Sequence, residues 1–227
     1  NVRIYLNSTG QEISLWAYDS TTSPLYAPLS DADATVETLL SKEKERIQHI
    51  AELIKHPAFI RQIKHSYAVP VIVSGCFETP SHLDWTEATK DDHKRKSIVV
   101  NWPVTRLLSS AAGMTDSFRE VHPDPKKNPG NTWSVFKNDK SKDRIDYIFY
   151  RGSLKPTRSF TAHGDSHVGY DVDKRKTIEW PSDHDAVITD FMRTWQKYEN
   201  EPSFFIGSEY PSGPFAALDK CPLKIYH

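Results

Sequence analysis

The chain has 227 residues, of which 37% are apolar, 11% aromatic and 26% charged, enough for one good core or for one domain with an appendage. No apolar run reaches the length that crosses a bilayer, which excludes a transmembrane helix from the expectation. A formal charge of −1 excludes the overall basic excess that draws proteins onto nucleic acid, and the local clusters Lys94-Arg95-Lys96, Lys126-Lys127 and Lys174-Arg175-Lys176 read as solvated loops.

In chain order, Val2, Ile4 and Leu6 alternate with polar residues, a turn follows, and Ile13 to Tyr18 forms the second strand of an opening hairpin. The turn carries Asn7-Ser8-Thr9, an N-glycosylation sequon in an exposed position. With a first residue other than Met and no signal-peptide pattern, the chain reads as processed or excerpted, and the sequon points to a secreted, extracellular protein. Ser30 or Asp31 is the expected cap of a helix with apolar positions Val36, Leu39, Leu40, Ile47, Ile50, Leu53 and Ile54, interrupted by Pro57.

Val69 to Val73 reads as a central strand ending at Gly75. Pro103 to Ala112 reads as a helix closed by Gly113, and Thr132–Phe136, Arg144–Tyr150 and Ala186–Phe191 read as strands. Strands and helices alternate without βαβ regularity, so the expected fold class is α+β with a mixed sheet and helices outside. Residues 1–193 form the domain; 194–227, with Pro202, Pro211, Pro214 and Pro222 among aromatic residues, form an irregular arm suited to assembly.

The stretch Gly75-Cys76-Phe77-Glu78, followed by "TPSHLDWT", leaves that central strand as a loop rich in chemistry-bearing side chains. Asp146 in "DRIDYIFYRG" and Asp183-His184 in "PSDHD" come later, with "NWPVTRLL", "AAGMTDSFREVHPDP" and "PGNTWSVF" between. In this order the segments resemble the endonuclease/exonuclease/phosphatase superfamily of metal-dependent phosphoesterases, over roughly Val69 to Phe191.

The resemblance implies a four-layer α/β/β/α sandwich with its site at one end. It matches Asp183 and His184 to the family's Asp-His pair, whose imidazole contacts phosphate, and Asp146 to the carboxylate that orients the imidazole. It also exposes two departures: where the family has Gly-Asp-Phe-Asn, this chain places Cys76 for the proton-handling Asp and Glu78 for the hydrogen-bond-donating Asn. A thiol is mostly protonated at neutral pH, and an ionised Glu78 accepts hydrogen bonds but donates none. Loss of one preorganised donor costs about 10²–10³ in rate, so ordinary turnover is expected to be abolished.

The family's early His-Leu pair is missing after Trp16-Ala17-Tyr18, and its metal-binding Asn and Glu lie in strands this chain lacks. A magnesium or manganese ion is therefore expected only if the protein is still an enzyme, and otherwise no cofactor. The missing first-half strands are expected from a preceding segment of the same polypeptide or from another copy, since a half sandwich exposes more apolar surface than a soluble monomer tolerates. Membrane and nucleic-acid partners are not expected.

Three other readings use the same residues. A zinc cluster of Cys76, Glu78, His82 and Asp84 matches no standard ligand spacing, and His163 and His167 in "HGDSH" read as an exposed loop, so no metal site is assigned. A nucleophilic Cys76 with His184 as base lacks oxyanion donors. A Cys76–Cys221 disulfide would pin the arm across the former site. The reading that results is a catalytically decayed phosphoesterase scaffold with a binding or assembly role, with an active metal-dependent phosphodiesterase or phosphatase as the alternative.

Overall fold

The computed structural model describes residues 1–7, 10–20, 35–91, 98–133, 142–162 and 182–194. The arm beyond Thr194, Cys221, His163, His167 and the expected caps Ser30 and Asp31 lie outside these residues.

The opening hairpin is present: β1 (Val2–Leu6) pairs antiparallel with β2 (Gln11–Asp19). β2 runs parallel to β3 (Val71–Cys76), which pairs antiparallel with β5 (Asp146–Arg151), and the two-residue β4 (Thr115–Asp116) closes the far edge, giving a mixed five-stranded sheet ordered β1-β2-β3-β5-β4. A second, two-stranded sheet joins β6 (Leu154–Ala162) to β7 (Ala186–Arg193). The protein is thus mixed α/β, with helices packed on a sheet.

Helix α1 (Val36–Ser41) starts at Thr35, whose side chain accepts from the Thr38 N–H while the Thr38 hydroxyl accepts from the Thr35 N–H. That reciprocal cap displaces the start from the expected Ser30 or Asp31. The single helix expected over this region is divided: α2 (Lys44–Lys55) follows after a break, and Pro57 opens a third helix, α3 (Pro57–Lys64), rather than ending the run. A proline at the first helical position loses no hydrogen bond there. Ile50 and Ile54 of α2, Phe59 of α3, and Val104, Leu107 and Leu108 of α4 (Pro103–Ala111) bury against Val71 and Val73 of β3 and Tyr147 and Phe149 of β5. Alternate residues of β3 and β5 supply this face because strand side chains alternate sides.

Two elements escaped the sequence reading. β6 contains Pro156, which argues against a strand, yet among the described residues it pairs with β7 alone and its register shifts between Pro156 and Arg158. An edge position and a bulge are where a strand tolerates proline. The short helix α5 (Ser117–Val121) is capped by Asp116, whose carboxylate accepts from the N–H groups of Phe118 and Arg119. Conversely, of the strand expected at Thr132–Phe136 the described residues contain only single bridges from Trp133 to Asp143 and to His184.

A buried ion pair marks the start of α2: Glu43 accepts from Arg46 at 2.9 Å, and both side chains are 2% exposed. Burial outweighs Arg46 and pushes the Glu43 carboxyl up from 4.5 to about 7, and its Oε2 has no hydrogen-bond partner among the described residues. A carboxyl raised in the folded state contributes stability that is present in full below the unfolded value and is lost as pH rises through the folded one. Between pH 5 and 8, urea denaturation should therefore show a fall in stability larger in the wild type than in Glu43→Gln, by on the order of 3 kcal/mol. Equal falls in the two proteins would contradict this assignment.

Candidate functional site at the tip of the central strands

The site grows out of three strand ends. Cys76 is the last residue of β3 and is the direct cross-strand partner of Asp146, the first of β5. Directly opposed residues in an antiparallel pair share a face, so thiol and carboxylate stand side by side. His184 precedes β7 and is brought to them by its bridge to Trp133. Its Nδ1 lies 2.9 Å from Asp146 Oδ2, and the Trp133 ring meets the imidazole edge-on at 4.9 Å between centroids.

The backbone around the site is fixed by residues with no role of their own in chemistry. The buried Thr132 hydroxyl accepts from the N–H groups of both Ile145 and Asp146, and Asp185 N–H donates to the Thr132 carbonyl at 2.8 Å. Phe77, fully buried, stacks on Tyr18 at 4.5 Å and donates its N–H to the Ile145 carbonyl. Gly75 has φ +145, and a Cβ there would lie 1.8 Å from the Tyr18 carbonyl oxygen. Only glycine lets β2 and β3 approach this closely.

Glu78 has φ +53, the left-handed region that a long side chain rarely occupies. This conformation turns the side chain back toward the strand end, and Cys76 Sγ donates to Glu78 Oε1 at 3.2 Å. Burial, with Asp146 and Glu78 adding to it, pushes the thiol far above its ordinary range. The His184 imidazole is raised, first by its hydrogen bond to Asp146 and against the effect of burial. A neutral thiol, two carboxylates and a basic imidazole therefore share one strand tip.

The structure brings Asp146, His184, Cys76 and Glu78 together. Asp183 is about half exposed, with its carboxylate 4.0 Å from His184 Nε2. Asn7 is exposed in the turn after β1. Cys76 is a free thiol, and its suggested partner Cys221 lies outside the described residues. The nucleophile reading gains proximity to His184 but not a reactive thiol, because the S–H is held by Glu78 and the thiolate is strongly disfavoured.

The four-residue zinc cluster does not assemble. His82 is tied to Thr105 through both its N–H and Nδ1, at 3.0 and 2.9 Å, and burial pushes its ring down to about 4. Asp84 is buried between Arg119 Nε at 2.6 Å and Arg144 Nε at 3.0 Å, and Arg144 also reaches Asp116 at 2.7 Å. Burial alone would raise Asp84, but Arg144 and Arg119 outweigh it and hold the carboxyl below its ordinary value. This network was not anticipated. The acid and bases of "LDW", "SFRE" and "DRID" each look solvated in the text, and only the fold pairs them.

The fold and site define a mixed α/β protein with an imidazole–carboxylate–thiol cluster at its central strand tips. No protein-family model matches the chain. It is 31% identical over 202 residues to the uncharacterized protein F14F9.5 of Caenorhabditis elegans, an alignment that covers 84% of this chain and 63% of that protein, so the chain spans less than two thirds of that relative's length. A crystal structure of an endonuclease/exonuclease/phosphatase from Beutenbergia cavernae DSM 12333 aligns at 14% identity over 71% of this chain and 33% of the other, with a TM-score of 0.35.

Proposed function

We propose that the chain is a degenerate phosphoesterase-fold protein of the endonuclease/exonuclease/phosphatase type, whose site no longer supports phosphoryl transfer and which serves an extracellular binding or assembly role. The observation that carries this reading is the Cys76–Glu78 contact beside the Asp146–His184 pair. The imidazole half of a phosphoesterase site is retained. The half that would handle the water's proton and donate to the phosphate is replaced by a protonated thiol and a carboxylate.

Electrostatics support this reading. A phosphate brought to His184 would meet the Glu78 charge, and two unit charges 4 Å apart repel by about 4 kcal/mol in an effective dielectric of 20. Solvent access at the half-buried Glu78 reduces that figure but not its sign. The four-layer sandwich belongs to the same proposal. β1 lies at the edge of the five-stranded sheet with Val2, Ile4, Tyr5 and Leu6 exposed, a surface suited to further strands from a preceding segment or from another copy. Among the described residues no helix is long and apolar enough to cross a membrane, and the exposed Asn7 suits a glycan.

The rival reading, an active Mg²⁺- or Mn²⁺-dependent phosphodiesterase or phosphatase, draws on the retained Asp146–His184 pair. Its cation does not fit the residues gathered here. Magnesium demands an octahedral set of oxygen ligands, whereas the three potential ligands that lie close together among the described residues are a sulfur, an imidazole and the Glu78 carboxylate. The test of the proposal is titration of the protein with inorganic phosphate, followed at the His184 imidazole by NMR. Wild type should show no saturable shift, whereas Glu78→Gln should show one. Saturable binding by wild type, undiminished by the Glu78 charge, would overturn the reading.

A further inference from the structure

The strand tip gathers a sulfur, an oxygen and a nitrogen donor. One ligand atom each from Cys76, Glu78 and His184 lies within 4.8 Å of the other two, the one such grouping of His, Cys and acidic side chains found among the described residues. We propose that Cys76, Glu78 and His184 form a binding site for a borderline-soft divalent cation of the zinc class, with Asp146 as the positioning residue.

Four features support it. First, Cys76 Sγ and Glu78 Oε1 are 3.2 Å apart, close to the separation of about 3.5 Å that a sulfur and an oxygen adopt on one tetrahedral zinc. Second, zinc-binding histidines characteristically carry a hydrogen bond from their other ring nitrogen to a carboxylate, and His184 Nδ1 has that partner in Asp146 at 2.9 Å. Third, this second residue is itself anchored: its N–H donates to the buried Thr132 hydroxyl, and Trp133 packs against the imidazole. Fourth, Glu78, Asp146 and Asp183 bring three formal negative charges near His184. A divalent cation offsets that accumulation and takes over the sulfur when the thiol gives up its proton to solvent. Sulfur, nitrogen and a single carboxylate select zinc or cobalt over magnesium or calcium, and three protein ligands leave a fourth position for water.

The site does not depend on the loss of phosphoester chemistry. A protein that binds zinc and hydrolyses nothing satisfies both proposals, whereas zinc binding with hydrolysis would remove the first and leave the second.

The experiment uses the full chain, reduced and stripped of metal, titrated with Co²⁺ and then with Zn²⁺. One equivalent of Co²⁺ should produce a thiolate-to-cobalt charge-transfer band that Zn²⁺ abolishes. Cys76→Ser should lose the band, and Glu78→Gln should bind at least about tenfold more weakly. Asp146→Asn should weaken binding by about 10–100-fold while keeping the band, as expected of a group acting through the imidazole. The double variant His163→Ala/His167→Ala should bind like wild type. Circular dichroism of each variant separates loss of a ligand from loss of the fold. Absence of the band in folded wild type, its survival in Cys76→Ser, or equal affinity for Mg²⁺ would overturn the site.

Discussion

Replacing Asp84 with alanine should destabilise the protein by about 3–5 kcal/mol, because it leaves two buried guanidinium groups facing each other with their shared anion gone. Arg119 and Arg144 are 4% and 1% exposed at the side chain, so water cannot reach either charge to compensate. Arg119 also donates to the carbonyls of His122, Asn128 and Pro129, and Arg144 to Asp116. One carboxylate thereby fixes the loop after β3, the segment around α5 and the approach to β5. Arg144 lies two residues before Asp146, so the same substitution should loosen the Asp146–His184 hydrogen bond. The control is Asp190→Ala, which breaks the Arg158–Asp190 pair at 2.7 Å, where the two side chains are 66% and 48% exposed and the cost should be within about 1 kcal/mol. Urea denaturation of the two variants checks the contrast, and equal costs would contradict it.

Gly75→Ala should be at least as damaging as the loss of a core side chain, about 3 kcal/mol or more, for a reason of backbone geometry. Both causes act at once: φ of +145 is hostile to any L side chain, and the new methyl would penetrate the Tyr18 carbonyl 1.8 Å away. Because that carbonyl belongs to a paired strand, relief requires β2 and β3 to part, and the Tyr18–Phe77 stack and the position of Cys76 go with them. Gly10 separates the two effects. It also has positive φ, at +64, but a Cβ there meets only the Tyr5 hydroxyl at 3.6 Å. Gly10→Ala should therefore cost about 1 kcal/mol, from backbone conformation alone. Denaturation midpoints for the pair measure the difference.

The parts of this protein legible in its sequence are those that one local rule decides. The β1–β2 hairpin follows from alternation around a turn, and α4 from apolar spacing between Pro103 and Gly113. The order of the motifs put Cys76, Glu78, Asp146 and His184 in one site, and the structure brings them together. What escaped depends on partners distant in the chain. Pro156 speaks against a strand until β7 lies beside it. Asp84 reads as one more charge in a loop until Arg119 and Arg144, 35 and 60 residues further on, close around it. Glu78 shows the same limit within the site. Its identity is plain in the sequence, but its left-handed backbone and its contact with Cys76 are properties of the folded strand tip.

On the proposed reading, the contact between Glu78 and Cys76 is what separates this strand tip from a working phosphoesterase site. Asp146 orients His184 and raises its basicity. Beside it, burial holds the thiol protonated and its S–H donates to the Glu78 carboxylate. In the proposed degenerate site an imidazole alone would not stabilise phosphoryl transfer, because the larger part of such catalysis is preorganised charge around the reacting group.

The most direct measurement is hydrolysis of an activated phosphodiester by the full chain in Mg²⁺, Mn²⁺ and Zn²⁺, with wild type and His184→Ala prepared side by side. Both proteins should turn over substrate no faster than the metal ion alone. A wild-type rate clearly above that background, falling to it when His184 is replaced, would contradict the account.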